Sequence, residues 1–150
     1  MIDVIVDESA WEGAEPRAAA LAKIAATAVL TREGAAQRDI AILLADDARV
    51  AALNAAFRGK DAPTNVLSFP AAAGAAELGD IALAFGVCAR EAAEQGKSLA
   101  HHLQHLTAHG VLHLLGYDHE SDAEAEAMEA KERAILAGLG VADPYAPRTL

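Results

Sequence analysis

The sequence predicts an α+β fold in which one small four-stranded mixed sheet is covered by about five helices. Its patterns follow the order strand, helix, strand, helix, strand, strand and then three helices, which is typical of one sheet covered by helices. Neither an internal repeat nor a linker divides the 150 residues, a usual length for one domain. We therefore expect residues 1–150 to form a single domain. The expected strands are residues 2–6, 38–45, 66–69 and 78–85, and the expected helices are 16–34, 48–57, 86–95, 98–115 and 121–139.

In the first half, two apolar runs predict strands and two Ala-rich runs predict helices. "IDVIV" is β-branched, and "RDIAILLA" is apolar enough to lie inside a sheet. The first helix begins at Pro16 and ends at Gly34, residues that favour these two positions. Asp46 or Asp47 is expected to cap the second helix, which ends before Gly59.

The third strand, "VLSF", ends at Pro70, and the fourth is "LGDIALAF". Because proline has no N–H to donate to a strand ladder, we expect the Pro70 end at a sheet edge or exit. The small-residue segment "AAAGAAE" connects these two strands. Three helical patterns occupy the rest of the chain.

Charge and composition limit the possible functions. The net charge of −10 disfavours general binding to nucleic acid, so any RNA contact must come from a local patch, and we expect no binding to DNA. The stretch from Asp118 to Glu132 contains seven acidic residues and only one lysine or arginine, Lys131. No apolar run is long enough to cross a membrane, and the acidic start is unlike a signal peptide. With a single cysteine, Cys88, the composition predicts a cytoplasmic protein.

All six histidines lie between residues 101 and 119. His101, His105, His109 and His113 are spaced by four residues, and at 3.6 residues per turn they stay near one helix face, which His102 shares. An i, i+4 pair of imidazoles can bind one metal ion.

Three of these histidines can converge on one point. His109 and His113 form the helical pair, Gly116 can end the helix with a left-handed residue, and the turn then brings His119 back. Three nitrogen ligands with a fourth position left for water are typical of catalytic zinc. The sequence therefore predicts a metal site on a helix of the C-terminal half.

The spacing His-x3-His-x2-Gly-x2-His is also that of the metzincin metalloproteases, which carry a glutamate base directly after the first histidine. Here that position is Gly110, and Met128 sits in a helical pattern rather than a Met-turn. The peptidase interpretation therefore lacks its base. We expect Gly110 to leave room beside the open metal position for a bulky polyanion.

Other interpretations of the neighbouring residues stay open. The histidines could form a surface stripe without a ligand, which is the interpretation we give His101 and His102. For His105 we expect support of a ligand, or packing, rather than ligation. Asp118 could orient a ligating imidazole or serve the turn.

Four segments together resemble the bacterial YbeY family of ribosomal RNA maturation factors. They occur in the family's order and span most of the chain from Leu53 onward: "LNAAFRGKDAPTNVLSFP" (53–70), "LGDIAL" (78–83), "HGVLHLLGYDH" (109–119) and "DPY" (143–145). The segment after Pro70 departs from the family because it lacks aromatic and acidic residues often found there.

The resemblance implies a single-strand-specific endoribonuclease that acts in ribosomal RNA processing, namely maturation of the small-subunit RNA, and in ribosome quality control. It implies one Zn²⁺ per chain, bound by His109, His113 and His119. It also implies that Arg58 is the functionally important arginine of the family.

From the chemistry of phosphodiester cleavage, a zinc ion can present hydroxide at neutral pH, and a guanidinium can stabilise the charge that develops on phosphate oxygens. We expect Arg58 to supply that guanidinium. Lys60, Asn65 and Ser68 are candidates for contacts with the RNA backbone or a metal-bound phosphate. Asn65 and Ser68 could equally be turn and strand-end hydrogen bonders.

The leading hypothesis is thus a metal-dependent endoribonuclease that acts on single-stranded ribosomal RNA. Its expected partners are that RNA and proteins of the small ribosomal subunit, with no membrane. A non-catalytic ribosome assembly factor, whose metal stabilises the fold, is the alternative. A metallopeptidase-like hydrolase would need a carboxylate from outside the helix.

Overall fold

The computed structural model describes residues 1–146 and contains four strands and six helices within that range. In chain order the elements are β1 (Ile2–Val6), α1 (Ala10–Ala14), α2 (Ala18–Arg32), β2 (Asp39–Ala45), α3 (Asp47–Arg58), β3 (Val66–Pro70), β4 (Glu77–Ala84), α4 (Phe85–Glu94), α5 (Leu99–Leu114) and α6 (Asp122–Gly138).

The four strands form one mixed sheet in the order β1-β2-β4-β3. β1 pairs with β2 and β2 with β4 in parallel, whereas β3 pairs with β4 antiparallel. The predicted α+β class with a four-stranded mixed sheet is therefore confirmed. β3 lies at the edge of the sheet, as its terminal Pro70 predicts.

The two faces of the sheet are covered by different helices and carry hydrophobic clusters of different size. Alternate residues of β2 and β4, among them Ile42, Leu44, Ile81 and Leu83, join α2, α5 and α6 in the main core. On the other face a smaller cluster contains Val50 of α3 together with Leu67 and three alanines of the strands. Residues 1–146 include no helix with both the length and the apolar character needed to cross a membrane.

The sequence patterns predict five of the six described helices, and the one that they do not predict is α1. It has only five residues, too few for a periodic pattern. Its position depends on Trp11, which is fully buried, donates from Nε1 to the Ala45 carbonyl at 2.9 Å and meets the Phe85 ring edge-on. The helix thus forms through tertiary contacts.

Candidate metal centre

The helix α5 carries the first two candidate ligands. Ser98 caps its N-terminus by accepting from the His101 N–H, and the buried face of α5 packs on the sheet. One turn apart near its C-terminus, His109 and His113 point the same way, with their Nε2 atoms 3.0 Å apart. The i, i+4 spacing thus brings two imidazole nitrogens together.

The turn after α5 brings the third histidine to this pair. Gly116 has a φ of +100°, a left-handed conformation that other residues rarely adopt. The Tyr117 carbonyl accepts from Nδ1 of His113 at 2.9 Å, which fixes the turn against the helix. The ring of His119 then lies 5.1 Å from that of His113 and 5.8 Å from that of His109, measured between centroids.

The donor atoms fit a cation between His109 and His113. A carbonyl only accepts, so Nδ1 of His113 carries the hydrogen, and Nδ1 of His109 lies 3.3 Å from the carboxylate of Glu132. Burial, together with the neighbouring His109, lowers the pKa of His113 and favours its neutral ring. The two Nε2 atoms are then the ring nitrogens left to bind a metal ion, and they face each other.

Asp118 belongs to the same cluster. Its carboxylate and the ring nitrogens of His113 and His119 all lie within 4.8 Å of one another, so these three side chains can hold a metal ion. Asp118 Oδ1 also accepts from the backbone N–H of His119 at 2.7 Å. Both roles considered from the sequence, support of a ligand and shaping of the turn, are consistent with this position.

A carboxylate that the sequence analysis does not single out lies behind the histidines. Glu132 of α6 is fully buried, and its Oε1 accepts from Nε2 of His105 at 2.9 Å and from Nδ1 of His109 at 3.3 Å. Burial alone would raise the pKa of Glu132, but these hydrogen bonds lower it to about 2. His105 therefore contacts the supporting carboxylate, as expected of a residue that is not itself a ligand.

Arg58 faces the histidines across a cleft. It is the last residue of α3, and its Nη2 donates to the Ser68 carbonyl at 2.8 Å, so the side chain is held against the edge strand β3. The cleft has a volume of about 600 Å³, and its lining includes Arg58, Asn65, Ser68, His109, His113 and His119. The structure thus brings the predicted arginine and the three predicted histidines to one cavity.

The three other candidate residues lie in different surroundings. Ser68 is buried and its hydroxyl donates to the Gly110 carbonyl at 3.0 Å, which matches its alternative as a strand hydrogen bonder. Asn65 donates to Glu91 and accepts from the next backbone N–H, which matches a turn role. Lys60 is exposed and is not among the residues lining the cleft.

The expected role of Gly110 is wrong. A Cβ at this position would lie 2.9 Å from Ile81 Cγ2 and 3.3 Å from Ser68 Oγ, and Gly110 is not among the residues lining the cleft. Gly110 therefore allows α5 to pack closely on β3 and β4. A glutamate side chain at this position would begin in close contact with Ile81 of the sheet.

The first two histidines of the helix do not join the cleft. His101 is exposed, whereas His102 is buried and contacts Glu91 Oε1 through Nε2 at 2.9 Å. The surface interpretation fits His101 but is wrong for His102, which is buried against Glu91, and neither residue lines the cleft.

The chain is similar to several known proteins. Residues 6–140 match the profile of the family described as Endoribonuclease YbeY. The protein of that name from Rhodopseudomonas palustris (strain BisB18) is 51% identical over 153 residues, covering 96% of this chain and 91% of that protein. The protein of the same name from Jannaschia sp. (strain CCS1) is 49% identical over 160 residues, covering 96% of this chain and 99% of that protein.

A solved structure shares the fold. The solution structure of TM1509 from Thermotoga maritima matches 98% of this chain and 100% of its own with a TM-score of 0.61, at 24% sequence identity. The profile match spans β2 to α6, including the cleft and all three histidines, and on that match and the similarity to the two relatives the chain belongs to the Endoribonuclease YbeY family.

Proposed function

We propose that this protein is a metal-dependent endoribonuclease that cleaves single-stranded RNA in ribosomal RNA processing. One observation carries the proposal: imidazole nitrogens from three histidines face an arginine across one cleft, in a chain whose relatives are named as endoribonucleases. We further propose that residues 1–150 act as one catalytic domain.

His109, His113 and His119 are the proposed ligands of one Zn²⁺ per chain, with Asp118 close enough to assist. Imidazole suits zinc, and the donor set fits a cation as argued above. Zinc at this position would supply Lewis-acid chemistry for hydrolysis of the phosphodiester bond. The hydrogen bonds of Glu132 and Tyr117 hold two of the three rings in orientation.

Arg58 is the proposed catalytic residue. Attack on a phosphodiester increases negative charge on the non-bridging oxygens, and a guanidinium can stabilise that charge through paired hydrogen bonds. One Arg58 nitrogen is engaged by the Ser68 carbonyl, which leaves the other N–H groups of the guanidinium as donors toward the cleft. Lys60, Asn65 and Ser68 are the proposed contacts with the RNA backbone on this side of the protein.

The net charge of the protein bears on its proposed partners. A net charge of −10, with acidic residues concentrated on α6, disfavours extensive contact with phosphates. We propose that proteins of the small ribosomal subunit deliver ribosomal RNA to the cleft in the cytoplasm, and that the same step serves ribosome quality control. Neither DNA nor a membrane is a proposed partner.

The acidic surface also favours a second candidate, a non-catalytic ribosome assembly factor whose metal stabilises the fold. An assay of purified, tag-free protein separates the two. Labelled single-stranded RNA should be cut and duplex RNA and DNA of the same sequence spared, with loss of cutting in chelator and recovery with Zn²⁺. Protein that binds zinc and stays folded but cuts no RNA would favour the assembly factor.

A further inference from the structure

Glu132 is a charged group in the interior of the protein. It lies on the inner face of α6, is fully buried, and accepts from three side chains on two other segments. Two donors, His105 and His109, belong to α5, and the third is the hydroxyl of Tyr145, 2.9 Å from Oε2 and 3.1 Å from Oε1. A buried carboxylate is tolerated when it is hydrogen-bonded in this way.

The contact with His109 determines which ring nitrogen points at the cleft. An ionised carboxylate only accepts hydrogen bonds, so Nδ1 of His109 must carry the hydrogen, and Nε2 is the ring nitrogen left to bind a metal ion. That Nε2 is the atom that faces His113. Glu132 therefore fixes both the tautomer and the rotation of the His109 ring.

Tyr145 is held in turn by its own contacts. Its ring packs edge-on against His105 at 5.5 Å between centroids, and Arg133 lies over it at 5.4 Å. Arg133 also bonds Asp143, which accepts from the Tyr145 backbone N–H at 2.8 Å. The segment "DPY" is thus attached to α6 beside the carboxylate.

We propose that Glu132, held by the Tyr145 hydroxyl, is a positioning residue that orients His109 as a metal ligand and so raises the affinity of the centre for its metal. This inference rests on the metal site proposed above. It gives the C-terminal segment 143–145 a function, because the tyrosine hydroxyl donates to the same carboxylate as the histidines.

The direct test is Zn²⁺ affinity measured by competition with a chromophoric chelator in Glu132→Gln. The amide keeps the shape but removes the charge, and loss of such a supporting carboxylate weakens metal binding by about 10–100-fold. Glu126→Gln on the exposed side of α6 is the matched control and should bind Zn²⁺ as the wild type does. Circular dichroism confirms that each variant is folded.

A spectroscopic readout separates positioning from simple stabilisation of the fold. In metal-free wild-type protein, ¹⁵N NMR of the His109 ring should show the Nδ1–H tautomer, and in Glu132→Gln that population should fall. Tyr145→Phe removes only the hydroxyl and should weaken Zn²⁺ binding less than Glu132→Gln does. In the double variant, Tyr145→Phe should weaken Zn²⁺ binding little beyond the effect of Glu132→Gln alone, because both substitutions act through one carboxylate.

A folded Glu132→Gln variant that binds Zn²⁺ within about threefold of the wild type, with an unchanged His109 tautomer, would overturn the inference. Wild-type protein that binds no Zn²⁺ would instead refute the proposed metal site itself.

Discussion

At the scale of single residues, Arg58 is the side chain on which the proposed chemistry depends most. Arg58→Glu should keep its zinc, because Arg58 is held by the Ser68 carbonyl and not by the histidines. Its kcat for RNA cleavage should fall by about 10²–10³-fold, the usual loss when one charge-stabilising donor is removed. Steady-state cleavage rates and metal content by mass spectrometry measure the two effects.

Arg49→Glu makes the same charge change on the exposed N-terminal turn of α3, outside the cleft, and should leave cleavage unchanged. If the folded Arg58→Glu protein cleaves at the wild-type rate, Arg58 has no part in the mechanism.

Sequence spacing predicts the three histidines because helix periodicity relates His109 to His113, and a glycine marks the turn to His119. It does not predict Glu132. That residue lies in a run of acidic residues on α6, where one buried carboxylate looks like its solvated neighbours. Its spacing from Met128, Ile135 and Leu136 places it on the apolar face of α6 and could have indicated burial. Only the packing of α6 against α5 shows that it contacts the histidines. The same limit applies to Gly110, whose role depends on Ile81 of a distant strand.

At the scale of elements, the contact between α5 and the sheet places the histidines beside Arg58. Gly110→Ala would add a Cβ 2.9 Å from Ile81 Cγ2, so we expect the free energy of unfolding to fall by about 1–2 kcal/mol, despite the higher helix propensity of alanine. Urea denaturation measures this change. Gly138→Ala in α6, where a Cβ has open space, is the control and should not destabilise. Equal stability of Gly110→Ala and wild type would contradict close packing at this contact.

Glu33 joins α2 to the turn after α5 and to α6. It accepts from the Tyr117 hydroxyl and from Lys131 Nζ, the latter at 3.1 Å. Burial would raise the pKa of Glu33, but the bonds from Tyr117 and Lys131 lower it below its ordinary 4.5. Because the pKa of Glu33 is lower in the folded protein than in the unfolded chain, the ionised carboxylate stabilises the fold above pH 4.5. This stabilisation is lost as the pH falls through the pKa of the folded state.

Glu33→Gln should therefore lower the free energy of unfolding at pH 7 by about 1–3 kcal/mol, the size of hydrogen bonds to a charged group. The difference in the free energy of unfolding between Glu33→Gln and wild type should shrink as the pH falls below 4.5. Urea titrations across this range measure it, with Glu126→Gln as the exposed control. A difference that stays constant down to low pH would show that the Glu33 charge is not responsible.

Most elements follow from local signals. Asp46 and Gly59 bound α3, and Ser98 and Ser121 cap α5 and α6, since short polar side chains and glycine act within one turn of a helix end. The five-residue α1 has no such signal apart from Trp11, whose burial depends on Ala45 and Phe85.

At the scale of the whole molecule, the order of patterns predicts the α+β class but not the strand order β1-β2-β4-β3. Pairing of β2 with β4 depends on contacts between residues far apart in sequence, and only the edge position of β3 has a local signal, Pro70.

The net charge of −10 predicts weak RNA binding with a shallow salt dependence. For single strands, the slope of log K against log salt is about −0.7 per phosphate contacted. We expect a slope of about −3 or shallower for a catalytically inactive variant binding single-stranded RNA, measured by fluorescence anisotropy. A slope steeper than about −4 would imply six or more phosphate contacts and would contradict this view of the surface.

The central claim is that RNA cleavage requires one metal ion held by the three histidines. It is tested most directly by adding Zn²⁺ in steps to chelator-stripped, tag-free protein and measuring cleavage of single-stranded RNA at each step. We predict that the rate rises linearly and stops rising at one equivalent per chain, while His113→Ala stays inactive throughout. Full cleavage by metal-free protein, or by His113→Ala, would contradict the claim.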